Sequence, residues 1–300
     1  MTIYDCFTFF NEIDLLKLRL EMLDHVVDKF VIVETNKTFH GIDKPYNFIN
    51  HKNEFYKYLN KIIYINPDDI PIYKGDGDWD IEYYSRNSIM KGLTKCEPDD
   101  IIIVSDIDEI PNIDAFLEPL HFNYSKFPDR SFRGIMKSIY KYYNWQIIKP
   151  AKNWLDLLEY SPVACQQDLY YYFLNCKSES KWFGSVICKY KNIKTTQFLR
   201  KIRGSIPYIK NGGWHLSYFG GIDSIKEKTK AIIDDRKEVI QIIKNHCDDD
   251  DYIKHCIKNG IDLYHRENVK FKYIDFNEIS FPNKKKVLEK YPHFYNNDIK

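Results

Sequence analysis

Near the start of the chain, short apolar runs alternate with stretches whose apolar positions recur at helical spacing. "IYDCFTFF" (3–10) is apolar and aromatic and predicts a strand, and "EIDLLKLRLEMLDHVV" from Glu12 places Leu16, Leu20, Leu23 and Val27 on one helical face. "FVIVE" (30–34) then predicts a short buried strand. A strand, a helix and a strand in succession require parallel pairing with a right-handed crossover. A second unit follows: "KIIYI" (61–65), a loop with Pro67, Pro71, Gly75 and Gly77, a helix through "EYYSRNSIMKGLTKC" (82–96), and the strand "DIIIVSD" (100–106). The first 111 residues thus predict half of an open α/β sheet.

Beyond Pro111 the period changes. "SFRGIMKSIYKYYNW" (131–145) and "DLYYYFLN" (168–175) predict antiparallel strands packed on one side of the sheet. "SVICKY" (185–190) and "GWHLSYFG" (213–220) predict further strands, and 222–245 predicts one long helix. No stretch resembles a linker. The expectation is a single α/β domain over 1–265, with one half at 1–111 and another at 112–265, followed by a tail, 266–300, packed on its surface.

Charge narrows the function classes. Among 300 residues, 44 Lys and Arg balance 43 Asp and Glu, so no single-sign field announces nucleic acid. The 16% aromatic content suits sugar-stacking surfaces, and it equally fills cores. Seven widely spaced cysteines with no C-x-x-C predict reduced thiols and a cytoplasmic protein. The opening "MTIYDCFTFFNE" predicts neither signal peptide nor membrane anchor, so a lipid-linked substrate would be met at the inner face of the membrane.

The chemistry concentrates in "IIIVSDIDEIP" (101–111), where a hydrophobic strand runs into Asp106, Asp108 and Glu109. Ligands of open α/β sheets bind at the carboxyl ends of strands. In an extended strand, the i, i+2 spacing of Asp106 and Asp108 puts both carboxylates on one side. A divalent cation, Mn²⁺ or Mg²⁺, would neutralise them and in turn bind a diphosphate. His215 in "NGGWHLSYFGG" (211–221) is a candidate third metal ligand, and Arg86 in "WDIEYYSRN" (79–87) a candidate phosphate contact. "DGDWD" (76–80) lacks the glycine and closing glutamate of a calcium loop.

The stretches 4–41, "WDIEYYSRNSIMKGL" (79–93), "IIIVSDIDEIP" and "GGWHLSYFGGIDSIKEK" (212–228), taken in order, resemble glycosyltransferase family 17. The resemblance implies a GT-A type fold and metal-assisted, inverting transfer of a sugar from a nucleotide-diphosphate donor to a glycan or lipid-linked oligosaccharide. The donor is UDP-linked N-acetylglucosamine by default. It also implies that Asp106 and Asp108 hold the metal and diphosphate, with His215 as a further metal ligand, and that Glu109 faces the donor sugar. Glu34 would lie near the nucleoside, Arg86 and Asn87 would line the site, and Lys228 would contact the diphosphate.

The residues leave the catalytic base open: Asp223 is the first candidate, with Glu179 and Glu227 behind it. Two rivals remain. A sugar-phosphate nucleotidyltransferase should carry a glycine-rich loop after the first strand, and no glycine precedes Gly41. A carbohydrate-binding protein would bind glycans without turning over a donor.

Overall fold

A computed structural model of the chain describes residues 1–117, 124–125, 154–266 and 269–298. The predicted strands at 131–145 lie outside these residues.

The sheet is built from β1 (Ile3–Thr8), β2 (Lys29–Val33), β3 (Ile62–Ile65), β4 (Ile101–Asp106), β5 (Glu109–Pro111), β6 (Tyr124–Ser125), β7 (Val163–Tyr171), β8 (Cys176–Lys189), β9 (Tyr208–Ser217) and β10 (Phe271–Tyr273). Its order is β3-β2-β1-β4-β8-β7-β9-β5, with β10 pairing on β8 and β6 on β9. The first four strands are parallel, as the two strand–helix–strand units require, and β8 joins β4 antiparallel. The fold is therefore α/β around a mixed sheet.

Uninterrupted apolar runs mark the central strands because both faces are covered. Along β4, Ile101 and Ile103 pack on the side of α1 (Ile13–Leu23), while Ile102 and Val104 pack against Ile89, Leu93, Leu199 and Ile202 on the other. The helix predicted over 82–96 is shorter: α2 (Asp80–Asn87) gives way to a 3₁₀ turn at Ser88–Gly92. A Cβ on Gly92 would meet Val31 at 2.5 Å, so glycine there lets the turn lie directly on the sheet.

Two further expectations change. The long helix predicted over 222–245 is broken into α4 (Gly221–Ala231) and α5 (Lys237–His246). Ile232 is extended at the break, and Asp234 closes the next turn by accepting from the backbone N–H and the guanidinium of Arg236. The segment 266–300 is more than a surface tail. Among its described residues, β10 adds a strand to the sheet, and Phe281 and Phe294 are buried in the same main core as Leu16 and Leu20.

Candidate active site

Strands β2 and β3 lie on one side of β1 and β4 on the other, so the chain reverses its winding direction between β1 and β4. A crevice at the carboxyl ends of such a pair is where open α/β sheets bind ligands. Here it widens into a cavity of about 690 Å³ lined by the β1 end (Phe9, Phe10, Glu12), the acidic turn after β4, Arg86, His215 and Lys228. That volume falls within the roughly 300–1,000 Å³ of small-molecule and cofactor sites.

The acidic turn is shaped from beneath. Strand β4 ends at Asp106, residues 107–108 turn, and β5 begins at Glu109, so the extended geometry expected for Asp106 and Asp108 is not what holds them. Arg19, fully buried on α1, donates to the carbonyls of Asp106, Ile107 and Glu109 at 3.0–3.1 Å. Its remaining nitrogens bind the buried Asp5 carboxylate at 2.6 and 2.8 Å, and Ser105. The electrostatic cost of an acid inside β1 is thus met by one guanidinium that also fixes the turn.

Above the turn the carboxylates separate. Asp106 accepts from Arg86 Nη2 at 3.0 Å and from Arg200 Nη2 at 2.6 Å. Burial alone would raise its carboxyl, but Arg200 and then Arg86 more than offset it and hold the group far below the usual carboxylate range. Asp108 meets Lys228 Nζ at 2.6 Å and His215 Nε2 at 3.5 Å, both through Oδ2. Against the same burial, Lys228 and then His215 depress it strongly.

Glu109, expected to face a donor sugar, is fully buried, and both of its oxygens are engaged. Oε1 accepts from Trp182 Nε1 at 2.7 Å, and Oε2 from Arg200 Nη1 at 2.5 Å and the Asp106 N–H at 3.0 Å. It ties the turn to β8 and to α3 (Thr196–Ile202), which carries Arg200. Opposite Glu109 in the β5–β9 ladder stands His215. The glycine pair before it permits this pairing: Gly213 has φ +144°, and a Cβ there would fall 2.2 Å from the Ile110 carbonyl.

Other expected contacts lie behind the cavity wall. Glu34 is fully buried, binding Lys44 at 2.9 Å, the N–H groups of Asn47 and Phe48, and the Tyr64 hydroxyl, so it anchors the following loop. Asn87 accepts from the Gln197 N–H and braces the start of α3. The three candidate bases are also displaced. Asp223 and Glu227 are exposed on α4, Glu179 is exposed near Lys272, and none of them lines the cavity. Its acids are Glu12, Glu82, Asp106, Asp108, Glu109 and Asp234. Arg200 and Trp182 were not singled out as site residues from sequence; a triplet of cations in "LRKIR" (199–203) was the available signal.

The family model described as glycosyltransferase family 17 matches residues 1–142. That segment, just under half of the chain, holds β1 to β5, Arg19, Arg86 and the acidic turn, whereas Arg200, His215 and Lys228 lie outside it. The beta-1,4-mannosyl-glycoprotein 4-beta-N-acetylglucosaminyltransferases of Homo sapiens and Rattus norvegicus are each 34% identical over 113 residues, and the Mus musculus protein is 33% identical. The alignments cover 36% of this chain and 21% of each relative, so the chain matches about a fifth of the length of these proteins. A crystal structure of an active-site mutant of LgtC superposes over 97% of this chain and 95% of its own, with a TM-score of 0.31 and 9% identity, too loosely to support any inference.

For a divalent cation, the side chains present fit in part. Among the described residues no cluster of three His, Cys, Asp or Glu is arranged to hold a metal. Asp106 is committed to two arginines. Asp108 and His215 do suit the ion: the carboxylate is favoured in its ionised form, and among the described residues its ion pairs leave Oδ1 aside and the buried His215 Nδ1 has no partner.

Proposed function

We propose that the cavity binds a nucleotide-diphosphate sugar and transfers the sugar, with inversion, to a hydroxyl of a glycan. The observation that carries the reading is the acidic turn at the carboxyl end of β4, which lies in the segment matched by the family 17 model and faces a ligand-sized cavity. The activity for which the partial relatives are named makes N-acetylglucosamine the first sugar to test, and UDP is the carrier we test it on.

In this reading Asp108 and His215 would hold Mn²⁺ or Mg²⁺. The bound ion would supply charge stabilisation to the departing diphosphate. The chain's own groups do the rest. Lys228, 2.6 Å from Asp108, places a cation beside the leaving phosphates. Arg86 and Arg200 fix Asp106 at the cavity wall and favour its ionised form. Asp106 is a poor general base for the same reason, since depressed carboxylates hold protons weakly. In this reading the nucleoside lies over the β1 end, beside the packed pair Phe10 and Lys44, and the acceptor over β8 and β9.

The test is calorimetric titration with UDP and Mn²⁺, paired with an assay of UDP release from UDP-N-acetylglucosamine. Asp108→Asn should weaken Mn²⁺-dependent UDP affinity at least ~10-fold, the loss of one charge-assisted contact. Unchanged affinity in that variant and in Asp106→Asn would remove the basis for the reading. Glycan binding with no donor turnover under any nucleotide sugar would favour a carbohydrate-binding protein.

A further inference from the structure

Almost every lysine and arginine lining the cavity stands within ion-pair distance of a carboxylate; among the described residues, Lys201 and Arg203 do not. Both sit at the carboxyl end of α3. Arg203 donates through Nη1 to the Arg200 carbonyl at 2.9 Å, and its guanidinium carbon lies 5.3 Å from the centre of the Trp182 ring. That indole is itself pinned by its bond to Glu109. Lys201 Nζ lies 4.6 Å from the centre of the Tyr83 ring, which stacks on Trp79 at 6.1 Å. Each cation is thus seated on an aromatic face at the wall of the cavity.

The charge on Arg203 is held at a cost. Burial, and then the neighbouring Arg200, lower its guanidinium to about 10. An anion placed there would relieve that cost, and the planar fork of arginine matches a carboxylate or phosphate. Position separates this group from the donor phosphates. The crevice for the nucleotide lies between β1 and β4, with Lys228 beside Asp108, whereas Trp182 belongs to β8, on the far side of β4.

We propose that Arg203 and Lys201 form an anion subsite on the acceptor side, so that the acceptor is an acidic glycan bearing a carboxylate or phosphate, its sugar ring against Trp182. The proposal rests on the sugar-transfer reading of the cavity, since it names the acceptor of that reaction. Aromatic faces supply the apolar contact that sugar rings take, and the two cations supply the selection: a neutral acceptor would leave both uncompensated.

The experiment titrates the protein, with and without UDP and Mn²⁺, with glucose, glucuronic acid and glucose 6-phosphate. The unmodified chain should bind at least one anionic probe ~10-fold or more tighter than glucose, as expected for a charge-assisted hydrogen bond, and the two anionic arms distinguish carboxylate from phosphate. Arg203→Gln should abolish that preference and leave UDP affinity within about twofold, while Arg203→Lys should keep part of it. Equal binding of glucose and both anionic probes would overturn the proposal, as would a preference that survives in Arg203→Gln. A fall in UDP affinity as large as the fall in anionic-sugar affinity would also overturn it, making Arg203 a donor ligand. An Arg203-dependent preference in a chain that binds no UDP would uphold the subsite while refuting the transfer reading.

Discussion

Replacing Arg200 by methionine removes the partner of two carboxylates at once. Glu109 is fully buried and 2.5 Å from one guanidinium nitrogen, and Asp106 is 2.6 Å from another. Asp106 retains Arg86 and is partly open to water, but Glu109 keeps only the Trp182 and Asp106 N–H groups. Breaking a buried pair by deleting one member costs about 3–5 kcal/mol, because the surviving charge is left desolvated. Urea unfolding of Arg200→Met should show a loss of that size with little change in slope. Adding Glu109→Gln to Arg200→Met removes the stranded charge and should recover about 1–3 kcal/mol relative to the single variant. The two substitutions must therefore be strongly non-additive. A loss below about 1 kcal/mol, the value of an exposed pair, or simple additivity, would refute the account of this network.

Acid sensitivity and the identity of the base give further checks. Asp106 and Asp108 titrate lower in the folded chain than in the unfolded one. The unfolded chain then takes up their protons first as pH falls, so the stability they contribute is full above roughly pH 5 and drains away below about pH 4. Thermal unfolding between pH 3 and 7 should show the unmodified chain's advantage over Asp108→Asn flat at the upper end and shrinking below about pH 4; an advantage that grew on acidification would contradict the pairing. Because Asp223 lies exposed and outside the cavity, Asp223→Asn should transfer sugar at near-normal rate, against the loss of about 10²–10⁴-fold expected on removing a general base. A loss of that size would return Asp223 to the chemistry.

What could be read from the residues follows from range of interaction. Strands β1 to β4 were legible because burial on both faces leaves a one-dimensional signature, an unbroken apolar run. The acidic turn was legible because its residues are consecutive. Which acid does what was not, since that depends on partners 87–120 positions away, as with Arg19 beneath the turn or Arg200 and Lys228 above it. Glu34 and Glu109 read as ligands, and their hold on Lys44 and Arg200 could not be read for the same reason: a carboxylate at a strand terminus looks identical in sequence whatever it meets. The break in 222–245 escaped because "IIDD" keeps its helical period while Asp234 bonds locally to Arg236.

The hold of Arg19 on the turn makes the acid motif a poor candidate for transplantation. Asp5 on the first strand and the carbonyls of Asp106, Ile107 and Glu109 share the one guanidinium of Arg19 on the first helix. A chimera that carries "SDIDE" from this chain onto another scaffold will therefore hold its loop as here only if Asp5 and Arg19, on the first strand and helix, come with it.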